Sequence, residues 1–166
     1  KLYEKKEISL VLGNITKEDI EKYDLLVLSP GISVNAPIAQ MFYDQEKPVW
    51  SEIELAYQAS KGKIAAITGT NGKTTTTALT GEIMKGYYES SFVVGNIGIP
   101  YTSVALDTQE NSVITAEISS FQLETIVDFK PDVCAVLNIT PDHLDRHGTV
   151  EVYAKTKESI GKNQTK

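Results

Sequence analysis

The chain has 166 residues, 41% hydrophobic and 23% charged, which is the balance of a soluble globular chain with a real core. Its 16 basic and 22 acidic residues leave a net charge of −6, an argument against nonspecific nucleic-acid binding. A single cysteine excludes an internal disulfide and suits a reducing cytoplasm, and no apolar stretch reaches membrane length, so no membrane partner is expected.

Taken in order, the elements alternate. Ile8–Leu12 reads as a strand. Thr16, followed by Asp19 and Ile20, predicts a capped short helix to Tyr23. Leu25–Leu28 is a second strand, closed by the turn Ser29-Pro30-Gly31. Pro37 opens a helix to about Asp44, because its fixed φ and missing N–H suit a first turn. Val49 and Trp50 are a short strand, and Ser51-Glu-Ile-Glu54 is a capping-box pattern that opens a helix to about Ser60. Gly62 separates this small α/β unit from a second one. In the second, Ile64–Ile67, Phe92–Val94, Val113–Glu117 and Val133–Leu137 are apolar runs separated by segments of crossover length. Such runs predict a parallel sheet covered on both faces. Cys134, inside the last run, reads as a small core residue. The segment from Glu151 to Lys166 reads as a helix without a following strand. The opening Lys1-Leu-Tyr-Glu-Lys-Lys begins in charged, helix-compatible sequence without a Met, so a piece of a longer protein is expected.

The segment after the first strand of the second unit carries the most chemistry. Gly69-Thr70-Asn71-Gly72-Lys73-Thr74-Thr75 is a glycine turn, a lysine and a row of hydroxyls ahead of a helix-compatible stretch. A nucleotide phosphate needs that order. The turn exposes backbone N–H groups, the helix start adds partial positive charge, Lys73 reaches the outer phosphates and Thr74 offers a hydroxyl to Mg²⁺. The common loop, G-x-x-x-x-G-K-[ST], would place its first glycine at Ile67, so this loop is a shorter variant. ATP or GTP with Mg²⁺ is the expected cofactor. Thr76 and Thr77 read as helix residues facing packing or solvent.

Three further polar clusters follow the other strands: Gly95-Asn96-Ile97-Gly98, Glu117-Ile-Ser-Ser-Phe-Gln122 and Asn138-Ile-Thr-Pro-Asp-His143. All four clusters sit at carboxyl ends of strands, where an open parallel sheet binds its ligands. Glu117 is either a Mg²⁺ ligand near the phosphates or a solvent-facing strand end; beside the loop, the metal is favoured. Asn96, Asn138 and Gln122 either bond substrate or serve turns. His143 and His147 lie four apart, but no third ligand at zinc spacing accompanies them, so two surface or loop histidines are expected. Val150, Tyr153, Ala154, Ile160 and Gly161 form one helical stripe that includes Lys157, whereas Lys155 and Lys162 point elsewhere. Lys157 either snorkels to water, the reading favoured by sequence alone, or has a reactive, neutral amine inside.

The four clusters, read together, resemble the Mur ligase family. Ser119-Ser-Phe-Gln-Leu-Glu124 and Ser51-Glu-Ile-Glu-Leu55 resemble its D-glutamate-adding branch. Branches adding other amino acids typically have histidine at the position of Phe121 or of Asn71. The resemblance implies an α/β fold: part of an N-terminal Rossmann-like uridine-nucleotide domain over residues 1–60, then the first part of a P-loop ATPase parallel-sheet domain over 61–166, with the C-terminal domain absent. It implies a reaction in which ATP phosphorylates the carboxylate of UDP-N-acetylmuramoyl-L-alanine and D-glutamate attacks the acyl phosphate. It further implies that Lys73 binds the transferring phosphate, that Thr74 and Glu117 hold one Mg²⁺, and that His143 and a carbamylated Lys157 serve a second. Asn96, Ser119, Gln122 and Asn138 would line the muramoyl-alanine side, and Ser29, Pro30 and Gly31 would approach the uridine nucleotide. A cytoplasmic monomer is expected, catalytically incomplete by itself. A different Mur-type or folylpolyglutamate-type ligase and a noncatalytic nucleotide-binding module stay open as alternatives.

Overall fold

Two parallel sheets organise the chain in the computed structural model, which describes residues 8–13, 15–96 and 98–165. The first is small. Helix α1, Lys17–Ile20, starts at a reciprocal capping box between Thr16 and Asp19. It ends earlier than the sequence predicts because Lys47 Nζ takes the carbonyls of Ile20 and Tyr23, each at 2.8 Å. Strand β1, Leu26–Leu28, pairs in parallel with β2, Val49–Ser51, in the register Leu26↔Val49 to Leu28↔Ser51. Helix α2, Pro37–Tyr43, crosses between them with its proline in the first turn. Ile20, Leu28, Ala39, Phe42 and Val49 close a core of their own.

Helix α3, Glu52–Ala59, follows β2 without a loop. Its expected capping box does not form. Ser51 caps nothing, and its buried Oγ has no partner among the described residues. Glu54 has better donors: its fully buried carboxylate accepts the backbone N–H of Val127, Asp128 and Phe129 at 2.9–3.0 Å. Ile53 and Ala56 on the same helix bury into the core of the larger sheet, so α3 braces that sheet although it precedes Gly62.

The larger sheet has the order β4-β5-β3-β6, all parallel. Its members are β3 (Lys63–Thr68), β4 (Ser91–Gly95), β5 (Val113–Glu117) and β6 (Val133–Val136). Every residue of β5 is buried, as a central strand covered on both faces requires. Helix α4, Lys73–Lys85, crosses from β3 to β4. Its Gly81 lies so close to β4 that a Cβ there would meet Val93 Cγ2 at 2.2 Å. Three short helices complete the fold: α5 (Ser120–Leu123), α6 (Leu144–His147) and α7 (Val150–Glu158). Among the described residues no helix is long and apolar enough to cross a membrane.

Several expectations need correction. Ile8–Leu12 is not a strand: it pairs with nothing among the described residues, and each of its side chains is exposed. Strand β6 is not covered on both faces: it is an edge with Val133 64% exposed, and Cys134 is only partly buried. The last helix ends at Glu158 in a tight 3₁₀ turn, Ser159–Gly161. Beyond it Lys162, Asn163 and Gln164 donate to carbonyls of Ile126, Val127, Phe129 and Pro131, which captures the tail against the preceding loop. The expectations for Lys1–Lys6, Ile97 and Lys166 lie outside the described residues.

Candidate functional site

The site forms where β3 stops. Gly69 has φ 150° and Gly72 φ 80°, backbone geometries that favour glycine, and Gly72 is the N-cap of the thirteen-residue α4. The first backbone N–H groups of α4 therefore face outward with the positive end of the helix dipole. Lys73, partly buried, donates to Thr70 O at 2.9 Å. Thr74 and Thr75 are exposed, Thr76 is half-buried and Thr77 is fully buried, so the row of hydroxyls divides between ligand side and packing side.

The strand next door supplies the brace. Leu137 N donates to Thr68 O and Thr70 N to Asn138 O, at 2.9 and 3.0 Å. Asn138 then acts as a peptide mimic: its Oδ1 accepts Asn71 N at 2.8 Å and its Nδ2 donates to Asn71 O at 2.9 Å. Both polar atoms of the Asn138 amide are thereby committed to the phosphate loop. Thr70 Oγ1 bonds Thr140 in both directions and lies 3.2 Å from the Tyr153 hydroxyl.

Glu117, at the end of β5, is 2% exposed. Thr74 Oγ1 donates to its Oε2 and Asn96 Nδ2 to its Oε1, each at 2.9 Å. It is therefore not a solvent-facing strand end. Among the described residues no lysine, arginine or histidine pairs with it. A carboxylate this buried calls for a counter-charge. A carboxylate and a threonine hydroxyl beside a phosphate-type loop are a donor set that fits Mg²⁺.

Lys157 does not snorkel. It is 1% exposed, and its Nζ donates to Gly69 O at 2.9 Å and Thr68 Oγ1 at 3.4 Å, 4.7 Å from the centre of the Tyr153 ring. Burial, helped by the charge of Lys73 and opposed by Asp142, pushes its pKa down to about 8.

His143 begins α6 in the left-handed region, φ 50°, half-exposed, against Phe121 and the edge of Tyr153. Lys157 and His143 both lie against Tyr153, the amine 4.7 Å from its ring centre and the imidazole 6.4 Å from it, centre to centre. No three His, Cys, Asp or Glu side chains among the described residues gather at a metal-binding distance. His147 is not on the surface: it is buried, stacks on Phe121 and lies 3.0 Å from Ser120 Oγ. Burial lowers its pKa, against the opposing pull of Glu124.

A cleft of about 390 Å³ lies between the ends of the two sheets, lined by Ser29, Pro30, Glu52, Gly95, Asn96 and Gln122 among others. Four of the expected substrate residues, Ser29, Pro30, Asn96 and Gln122, meet there. Gly31 and Asn138 are not among its lining residues. Ser119 caps α5 in a reciprocal box with Gln122. The sequence reading missed Arg146, which spans both units, and the Tyr153 hydroxyl at the phosphate loop. Arg146 carried a signal in the polar run Asp-His-Leu-Asp-Arg-His, but nothing in that run names its partners.

The Mur ligase middle domain matches residues 67–166, more than half of the chain. The chain belongs to the Mur ligase family. It is 57% identical over 157 residues to the UDP-N-acetylmuramoylalanine--D-glutamate ligase of Lachnoclostridium phytofermentans, covering 95% of this chain and 35% of that protein. To the protein of the same name from Lachnospira eligens it is 59% identical over the same shares. The chain thus spans about a third of the length of these curated relatives. Among solved structures, MurF ligase from Thermotoga maritima in complex with ADP aligns over 82% of this chain and 39% of its own, at 21% identity and TM-score 0.48.

Proposed function

We propose that this chain is the part of an ATP-dependent, amide-forming ligase that activates the carboxylate of UDP-N-acetylmuramoyl-L-alanine for attack by D-glutamate. The observation that carries the reading is the meeting of the glycine loop with a buried carboxylate that no lysine, arginine or histidine among the described residues pairs with: Thr74 Oγ1 lies 2.9 Å from Glu117 Oε2 at the N-terminus of α4. The names of the relatives support the choice of substrates.

A carboxylate is a poor electrophile; ATP would supply the phosphoryl group that makes it reactive, and Mg²⁺ the charge that lets two anions approach. The chain's own residues bind and orient. Within residues 69–75 the main-chain N–H groups that Asn138 does not take, those at the start of α4, would hold the phosphates, with Lys73 turning from Thr70 O toward the transferring group. Thr74 and Glu117 would hold one Mg²⁺. The amine of Lys157 stands next to the loop, held by Gly69 O, with a pKa low enough for a neutral fraction near pH 8. A neutral amine adds to CO₂ and gives up one proton to solvent, and Lys157 carrying that carbamate would, with His143, hold a second Mg²⁺. Asn96 and Gln122 would contact the muramoyl-alanine side, and Ser29 and Pro30 the uridine nucleotide, from the cleft they already share. Ser119 would act through Gln122, which it caps. Asn138 would act through the loop it braces, and Gly31 through the turn it completes. On this reading residues 1–60 belong to the uridine-nucleotide unit and 61–166 to the ATP unit of a cytoplasmic, monomeric enzyme.

The test is an assay of ADP release by the full-length protein with UDP-N-acetylmuramoyl-L-alanine and, in turn, D-glutamate, L-alanine and L-lysine, and separately with glutamylated folate as the carboxylate and L-glutamate as the amine. Turnover is expected with D-glutamate alone. Turnover confined to another acceptor moves the chain to a different ligase; nucleotide binding without any turnover reduces it to a binding module.

A further inference from the structure

One charged residue in the Asp-His-Leu-Asp-Arg-His run has no part in the mechanism above. Arg146 is largely buried, and so is the carboxylate it meets: the two side chains are 14% and 12% exposed. Its Nε lies 3.1 Å from Glu124 Oε1 and its Nη2 2.5 Å from Glu124 Oε2, two side-by-side bonds that match the planar fork of a guanidinium. The remaining donors cross to the other sheet. Nη1 reaches Pro30 O at 3.4 Å and Nη2 reaches Ile32 O at 3.0 Å, more than a hundred residues away in sequence. The Phe121 ring covers one face of the guanidinium, 4.6 Å from it. His147 Nδ1 stands 3.7 Å from Glu124 Oε1, the oxygen that Arg146 Nε also meets.

This arrangement does more than join two surfaces. Buried ion pairs add little net stability compared with apolar packing, but their fixed directions define a position. Here the acceptors lie around one rigid group. Two belong to α5's end and two to the Ser29–Ile32 turn. Where Pro30, Ser51, Phe121, Gln122 and Arg146 converge, only about 10 Å³ is open to water, so this side of the turn is packed against α5 and Arg146. The same turn lines the cleft together with Asn96 and Gln122.

We infer that Arg146 is a positioning residue that sets the width of this cleft by tying the Ser29–Ile32 turn to α5 and α6, and so governs affinity for the uridine-nucleotide substrate. The inference rests on the substrate reading of the cleft given above. A lysine carries the charge but not the fork, and cannot serve Glu124 and two carbonyls at once.

The experiment compares the full-length protein with Arg146→Lys and, as a milder variant that keeps shape, Glu124→Gln. Hydrogen–deuterium exchange of residues 29–36 is followed without ligand, alongside KM for UDP-N-acetylmuramoyl-L-alanine, KM for ATP, kcat and thermal melting. In Arg146→Lys, exchange at 29–36 should speed up about tenfold while Val113–Glu117 stays protected, the loss of one charge-assisted bond pair. KM for the uridine substrate should rise about tenfold with kcat and KM for ATP within about twofold; Glu124→Gln should shift both in the same direction by less. Unchanged exchange at 29–36 in both variants, or KM for ATP rising in step with KM for the uridine substrate, overturns the inference. Failure of the unaltered protein to use a uridine nucleotide sinks the ligase reading instead, and with it the substrate half of this one.

Discussion

Two turns close two strands in this chain, and they are held in opposite ways. The glycine loop after β3 takes its shape from its own backbone and is braced at several points by the extension of β6. Gly69 and Gly72 adopt the conformations that few other residues tolerate, and the neighbouring strand's extension adds a ladder of bonds from Leu137, Asn138 and Thr140. The Ser29–Ile32 turn after β1 has a single internal bond, Ile32 N to Ser29 O at 2.9 Å, and depends on Arg146 from the other sheet for its place. A loop that must present N–H groups to an anion is best stiffened by its own backbone. A turn that only has to stand at a set distance can be held by one distant side chain.

The comparison can be broken or sharpened by mutation. The largest effect is expected at Lys73→Ala: ligase turnover in the full-length protein should fall about a thousandfold, because a charge aimed at the transferring group is lost. The melting temperature should barely move, since among the described residues Lys73 Nζ bonds only Thr70 O of its own loop. Retained turnover would remove the loop from the mechanism.

Lys157 comes next, and its signature is in pH. The folded chain releases its proton near pH 8, whereas the ordinary value is 10.5. Between these values the unfolded chain binds more protons, so Lys157 makes stability rise as pH climbs through that window; below pH 8 its cost is constant. Urea unfolding of wild type and Lys157→Met should therefore give curves that diverge across this range, with the variant lacking the rise. Taking the difference cancels the tyrosines, including Tyr101, whose burial pushes it up to about 12. Parallel curves would mean that the amine is hydrated after all.

Asn138→Ala removes both side-chain bonds to Asn71, and the affinity of the full-length protein for ATP–Mg²⁺ should drop about tenfold by titration calorimetry. Equal affinity would show a loop that needs no brace. The smallest effect belongs to the other turn. Gly31 has no positive φ, and a methyl group on its Cα would meet nothing within 4 Å. Gly31→Ala should therefore raise stability by about 0.5 kcal/mol through the unfolded state, read as a shift of the urea midpoint. At Gly72, where φ is 80°, the same change should lower it.

Much of the fold was legible from local pattern. The runs ending at Glu117 and at Ile67 are central strands because continuous apolar residues with crossover spacing need cover on both faces. Ile8–Leu12 has an equally apolar pattern, yet a strand exists only where a ladder partner does, and none meets it among the described residues. Ser51-Glu-Ile-Glu54 carries a helix-start signature, but three distant N–H groups draw Glu54 away from the local cap. In the candidate site, the loop and Glu117 could be found by their position after strands. The roles of Asn138, His147 and Arg146 could not, because each is defined by a partner far away in sequence.

By itself the sequence determined where the glycine loop lies, which strands precede the polar clusters, and that Lys157 lies on the apolar stripe of its helix. These follow from short-range sterics and periodicity, which act within a few residues. The tertiary structure alone decided that Lys157 is sealed under Tyr153, that Asn138 serves the loop, and that one guanidinium joins the two sheets. Burial and hydrogen-bond partners are set by the packing of elements distant in sequence, and no local pattern encodes that distance.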